Sequence, residues 1–161
     1  MKYNYKIILD SCGELPPEFE KDERFARVAL SIEVGDYRII DDETFDQKEF
    51  LQKVAEYPGC PRSACPSPEQ FMEAFHTEAE NVYCITLSSH LSGSYNSALV
   101  GANLYREKYG QKNIHIIDSE SASCGETQIA MRIMEWEERK LPFKTIVGLA
   151  EEYRSGMHTY F

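Results

Sequence analysis

The sequence has no cluster of Lys and Arg, and no apolar run near the ~20 residues a membrane-spanning helix needs. Its 17 Lys and Arg are outnumbered by 27 Asp and Glu, giving a net charge of −10. Such a surface repels phosphate backbones and anionic lipid headgroups, which argues against nucleic acid as a partner and against membrane insertion. The opening MKYNYKIILDS turns polar too soon for a signal peptide, so a cytoplasmic location is expected. The five cysteines, Cys12, Cys60, Cys65, Cys84 and Cys124, are odd in number and irregularly spaced, unlike a secreted disulfide framework. Cys60 and Cys65 lie close together, but no second Cys pair or His pair completes a zinc set, so no metal is expected. Walker A and G-x-G-x-x-G strings are missing, and no cofactor is expected. No G-x-S-x-G elbow occurs, since LSGSYNS has the wrong spacing. Internal repeats and low-complexity segments are also absent.

What remains is a chain of 161 residues, 42% hydrophobic and 27% charged, enough for one domain with a buried core. KIILD (6–10) reads as a buried strand ending in the turn DSCGELPPE. FARVALSIEVGDYRIID suggests a strand pair with Gly35-Asp36 between its arms. FDQKEFLQKVAEY (45–57) has apolar residues at 50, 51, 54 and 55, a helical spacing. YPGCPRSACPSP (57–68), with four prolines, reads as a loop. Ser67, Pro68 and Gln70 spell a capping box with proline at the first helical position, ahead of PEQFMEAFHTEAE. NVYCITL (81–87) and NIHIID (113–118) read as strands and YNSALVGANLYREKY as an amphipathic helix. SESASCGE reads as a loop, followed by helices over TQIAMRIMEWEERK (127–140) and LPFKTIVGLAEEYRS, the last ending near Gly156. GMHTYF looks like the start of a further strand. The alternation predicts an α/β fold, a mostly parallel central sheet flanked by helices on both faces.

In such sheets ligands bind outside the carboxyl ends of the strands. The loops at those ends read DSCGEL, SSHLSGS and DSESASCGE, all rich in serine and other small residues, and RSACPS can reach the same rim. A helix start favours an anion, Gly93 admits close backbone approach, and Ser92 and Ser94 add hydroxyls. The pattern suits a small anionic head, carboxylate or phosphate. The absence of lysine from the three strand-end loops disfavours a nucleoside triphosphate. Serines before helices are also the commonest caps, and capping is the favoured role for Ser67 and an alternative for Ser94. Catalytic candidates are thin. His76 lies on a helix and His115 in a strand, leaving His90 in the serine loop as the one histidine placed for chemistry. Asp10 resembles a phosphoryl-transfer aspartate, but Cys12 stands where a second Asp is needed. Cys12 and Cys124 lie in rim loops without a cationic neighbour in sequence and read as neutral fillers.

IILDSCGELP, RSACPSPEQF, ITLSSHLSGSYNSA and IIDSESASCGE, in this order, resemble the first domain of the DegV family, bacterial fatty-acid-binding proteins. Some members present the acyl chain to a fatty-acid kinase. The resemblance implies a carrier without catalytic residues, with a long-chain fatty acid as ligand, its carboxylate held at the rim and its tail buried. It assigns the head group to Ser63 and Ser92, with Asp10, Ser11, Gly93, Ser94 and Ser123 as supporting rim. Ala64 and Cys65 replace more polar family residues, so the rim is less polar than usual. It further implies residues 1–155 as the α/β domain and 156–161 as the start of a connection to a second domain, whose absence would leave apolar surface open to self-association. Two other readings compete: a hydrolase or phosphotransferase using Asp10 or a rim serine, and a regulatory or assembly domain whose serines only cap helices.

Overall fold

The computed structural model describes residues 3–158. Its centre is a parallel sheet of β1 (Tyr5–Asp10), β2 (Phe25–Val28), β6 (Asn81–Thr86) and β7 (Asn113–Asp118), in the order β2-β1-β6-β7. Side chains alternate between the two faces, as the two-residue period of a strand requires. Ile7, Leu9, Tyr83, Ile85 and Ile117 pack with Ile129, Ala130 and Ile133 of α4 (Cys124–Glu138) and Ile146 and Ala150 of α5 (Phe143–Ser155). Ile8, Val82, Cys84, Ile114 and Ile116 pack with Phe71, Met72 and Phe75 of α2 (Pro68–Phe75) and Ala98, Ala102 and Tyr105 of α3 (Ser94–Tyr109). Each fully buried Ile, Leu or Phe contributes about 1.5–3 kcal/mol of apolar transfer energy. The expected α/β sheet with helices on both faces is therefore the observed architecture.

A second sheet, β4-β3-β5, is antiparallel and lies outside this sandwich. β3 (Ser31–Val34) and β4 (Tyr37–Ile40) form the expected hairpin, with Gly35 at a positive φ of 62° in its turn. β5 (Arg62–Ala64) lies inside the stretch expected to be a loop. Its three residues are all exposed and carry no apolar alternation; they become a strand only by pairing with Ser31–Glu33. α1 (Gln47–Glu56) forms at the expected helical spacing and is capped by Asp46, but none of its residues is buried.

Other boundaries shift for identifiable reasons. α2 begins with the expected capping box, Ser67 Oγ accepting from Gln70 N–H and Gln70 Oε1 from Ser67 N–H. It stops at Phe75, where Lys112 Nζ donates to the Phe75 and Thr77 carbonyls and Thr77 Oγ1 accepts from Ala79 N–H. α4 begins at Cys124, three residues earlier than expected, which draws Glu126 into its first turn. The strand expected from GMHTYF falls largely on 159–161, outside the described residues; Met157 and His158 are not in a strand. Among the described residues, no helix is long and apolar enough to cross a membrane.

Candidate ligand site at the carboxyl edge of the parallel sheet

The chain leaves β1 toward β2 on one side and later places β6 on the other, so the strand order reverses between β1 and β6. The carboxyl end of such a switch point is the usual crevice for a ligand in an open α/β sheet. Asp10 ends β1 there and is fully buried. Its Oδ2 accepts from the Leu87 N–H across the crevice at 2.9 Å, and its Oδ1 from the Cys12 N–H at 3.1 Å. Burial raises its pKa, against the opposing hydrogen bonds from Leu87, Ser94 and Cys12. Ser11, next in sequence, accepts from the Leu30 N–H through its Oγ at 3.0 Å, so its hydroxyl ties this turn to the link between β2 and β3.

The serine loop crosses from β6 to α3. Gly93 is the N-cap, in an ordinary αR conformation with no side-chain cap. Ser94 is the first helical residue, not a cap, and is fully buried. Its N–H donates to Ser92 Oγ at 3.2 Å, and the two hydroxyls pair at 3.1 Å. Ser92 is half-buried and forms the outward end of this chain. The glycine lies close to the neighbouring segment: a Cβ at 93 would lie 3.1 Å from Cys65 Sγ. Ser97 Oγ donates to the Pro66 carbonyl at 2.5 Å. These two contacts bring the RSACPS segment against the start of α3. Ser63, two residues before Cys65, is exposed on β5 opposite Ile32.

The third loop, after β7, is tied to the second through Ser88 N–H donating to the Ser121 carbonyl at 2.9 Å and Ser89 N–H donating to Asp118 Oδ1 at 2.9 Å. Burial works to raise Asp118, but bonds from Ser89 and Glu120, together with the Arg154 charge, leave its pKa below the ordinary value. The two strand-end aspartates are thus driven in opposite directions. Ser123 has φ 54° at the N-cap of α4 and makes no side-chain cap; its carbonyl accepts from Thr127.

Glu126 was not among the residues the sequence singled out. It is fully buried, and its polar neighbours are the Asp10 carboxyl and the Ser123 backbone. Burial, and then the Asp10 carboxyl facing it, push its pKa up to about 10. The signal was its register: 126, 129, 130 and 133 share one helical face, and the other three are Ile, Ala and Ile. Cys12 is pushed up to about 12 by burial and by Asp10, Glu126 and Asp41, which keeps it a neutral thiol. His115 Nε2 pairs with Glu151 at 2.9 Å, and His76 stacks on Tyr109 with ring centroids 4.3 Å apart; both have structural partners. A cavity of about 550 Å³ opens beside the third loop, lined by Ser121 and Ala122 together with Cys124 and Gln128 at the start of α4 and Tyr153 near the end of α5.

Fold and rim together define an α/β domain with serine-rich loops gathered at the carboxyl edge of its parallel sheet, beside the switch point. The chain belongs to the DegV family: the model of that family, described as uncharacterised proteins, matches residues 4–161. A DegV domain-containing protein of Streptococcus gordonii is 33% identical over 153 residues, covering 94% of this chain and 54% of the relative. The chain therefore spans about half the length of the curated relatives it matches. A crystal structure of a DegV family protein from Ruminococcus gnavus, refined with vaccenic acid, superposes with a TM-score of 0.92 at 47% identity, covering 94% of this chain and 55% of that one. The fatty acid kinase B3 protein of Streptococcus pneumoniae, loaded with linoleic acid, gives a TM-score of 0.84 at 30% identity, with coverage of 94% and 54%.

Proposed function

We propose that this chain binds the carboxylate of a long-chain fatty acid, with the Ser92 and Ser63 hydroxyls as donors and the start of α3 as the supporting positive field. The observation that carries the reading is the pinning of the RSACPS segment onto the serine loop by the Cys65–Gly93 and Ser97–Pro66 contacts. That contact brings two hydroxyl-bearing segments to one helix start, beside the switch point. The fatty acids in the two structural neighbours support the choice of ligand. Leu91, next to Ser92 and 73% exposed, is an apolar surface for the first methylenes of a tail; each CH₂ fully buried is worth about 0.8 kcal/mol. Within this reading the protein is a carrier, and a fatty-acid kinase subunit is its partner.

The test is lipid extraction and mass spectrometry of the purified chain, before and after incubation with saturated and unsaturated long-chain fatty acids, followed by titration of Ser92→Ala and Ser63→Ala. A hydrogen bond to a charged group is worth about 1.5–3 kcal/mol, so each loss should weaken binding roughly 10- to 100-fold. Wild-type binding that both variants retain in full sinks the assignment of the site. Absence of any bound fatty acid sinks the ligand.

A further inference from the structure

Asp10 and Glu126 are two carboxyls buried together behind the serine ledge, and nothing in the carrier reading uses Glu126. Each is fully buried. Both Asp10 oxygens are held by backbone N–H groups, while the Glu126 carboxyl faces that of Asp10, with the Ser123 backbone as its other polar neighbour. Glu126 sits beneath the turn that follows Asp10: a Cβ at Gly13, whose N–H donates to the Asp10 carbonyl, would come within 3.4 Å of Glu126 Oε2. Two adjacent ionised carboxylates in this space are disfavoured at neutral pH by burial and by like charge. One of them keeps a proton. The backbone donors favour charge on Asp10, which leaves the proton on Glu126.

The pair is joined to the ledge. The Ser94 hydroxyl bears on Asp10, and Ser94 pairs with Ser92 at 3.1 Å. An anion held by Ser92 therefore sits two hydroxyls from the buried charge. We propose that Asp10 and Glu126 hold a single proton between them and make the anion site proton-linked, with Glu126 as the positioning residue that limits the charge behind the ledge to one. This rests on the carboxylate-binding reading above.

The sign follows from linkage. A bound carboxylate makes a second negative charge on the pair less favourable, so it raises the pair's hold on its proton. Where the free protein has begun to lose that proton, binding takes up a fraction of a proton from solvent, and affinity falls as pH rises through that range. Burial and Asp10 place the loss from Glu126 at about 10. The other titratable groups acting in this space are Cys12, from the turn after β1, with Asp41 acting on it, and Cys84, from β6. Both thiols are raised by burial and by the two carboxyls. Neither offers a competing cation.

The experiment has two arms. The first needs no ligand: infrared difference spectra of the wild-type chain between neutral and alkaline pH, in H₂O and D₂O. A protonated carboxyl band at neutral pH, lost near the alkaline end and absent in Glu126→Gln, is the expected result. No such band in the wild type overturns the shared proton. The second arm titrates oleate from pH 7 to 10.5, with calorimetry in buffers of different ionisation enthalpy. Wild-type affinity should fall on the order of threefold to tenfold, the size of a screened charge interaction at this range, with proton uptake at the alkaline end. Glu126→Gln, which keeps the shape but carries no proton to lose, should bind oleate with no such fall beyond the general surface titration. Equal pH profiles for the two proteins overturn the linkage. If oleate binds neither protein at any pH, the fatty-acid reading and the anion linkage fall together, while the infrared band still decides whether the pair shares a proton.

Discussion

The parallel sheet and the small antiparallel sheet each supply one hydroxyl of the proposed head-group pair, and they hold it by different means. Ser92 stands on the loop from β6 into α3, backed by Ser94, Asp10 and strands buried on both faces. Ser63 stands on a three-residue edge strand with no buried residue, in a sheet flanked by a helix that buries none either. The first is fixed by the core, the second by main-chain pairing and by the contact of its segment with α3. Low local burial is where opening is cheapest. Ser92 thus stands on the more firmly packed ground and Ser63 on the ground that opens more cheaply, a contrast that in the proposed reading eases the entry and release of a bulky tail.

The largest expected difference lies between the packed interiors of the two regions. Phe71→Ala removes a fully buried ring from the α2–α3 face and should cost about 3–5 kcal/mol. Leu51→Ala on α1, where the side chain is 56% exposed, should stay within about 0.5 kcal/mol. Urea unfolding measures both. Comparable losses would show that α1 is packed as part of the core and would erase the contrast.

The sequence showed the firmly packed region better than the other, for physical reasons. Ile7, Leu9, Tyr83 and Ile85 on one face and Ile8, Val82 and Cys84 on the other make continuous apolar runs, legible as doubly covered strands. The capping box at Ser67 and Gln70 and the hairpin turn at Gly35 were local chemistry and could be read locally. β5 could not, because Arg62, Ser63 and Ala64 carry no pattern of their own and take their conformation from Ser31–Glu33. The helical spacing of α1 was correct, but burial of that face is a tertiary outcome, and it did not follow. At the site, Asp10 and Ser92 were legible as polar residues at strand ends. Ser94 was read as a possible cap, whereas Ser92 Oγ takes its N–H and Gly93 holds the cap position. Glu126 was hidden by a boundary: the loop SESASCGE was read three residues too far, which left Glu126 outside the helical face it shares with Ile129, Ala130 and Ile133.

A sharper comparison uses two glycines with the same near contact. A Cβ at Gly101 would lie 2.7 Å from the Pro68 carbonyl and 2.8 Å from Phe71 Cβ, where α3 crosses α2. A Cβ at Gly59 would also meet its nearest atom at 2.7 Å, but that atom belongs to the Tyr57 ring. Backbone and a buried Cβ cannot withdraw, while a partly exposed ring turns aside. Gly101→Ala should therefore cost about 1–3 kcal/mol. Gly59→Ala should fall within about 0.5 kcal/mol, as at an ordinary surface position. Thermal or urea midpoints separate the two. Equal costs would mean that the Tyr57 ring is fixed as firmly as the α2–α3 crossing.

The smallest effect distinguishes the regions by the kind of unfolding each helix undergoes. Ser67 and Asp46 are both N-caps with good geometry, Ser67 Oγ accepting from Gln70 N–H at 3.3 Å and Asp46 Oδ1 from Lys48 and Glu49 N–H at 2.9 and 3.0 Å. Loss of such a cap costs its helix about 0.5–2 kcal/mol. For α2, which buries Phe71, Met72 and Phe75, the cost should appear in the global unfolding midpoint of Ser67→Ala. For α1, which buries nothing, Asp46→Ala should leave the global midpoint nearly unchanged and instead speed amide exchange over Gln47–Glu56. A global shift from Asp46→Ala as large as that from Ser67→Ala would mean that α1 unfolds only with the rest of the molecule, and that Ser63 stands on ground as firm as Ser92.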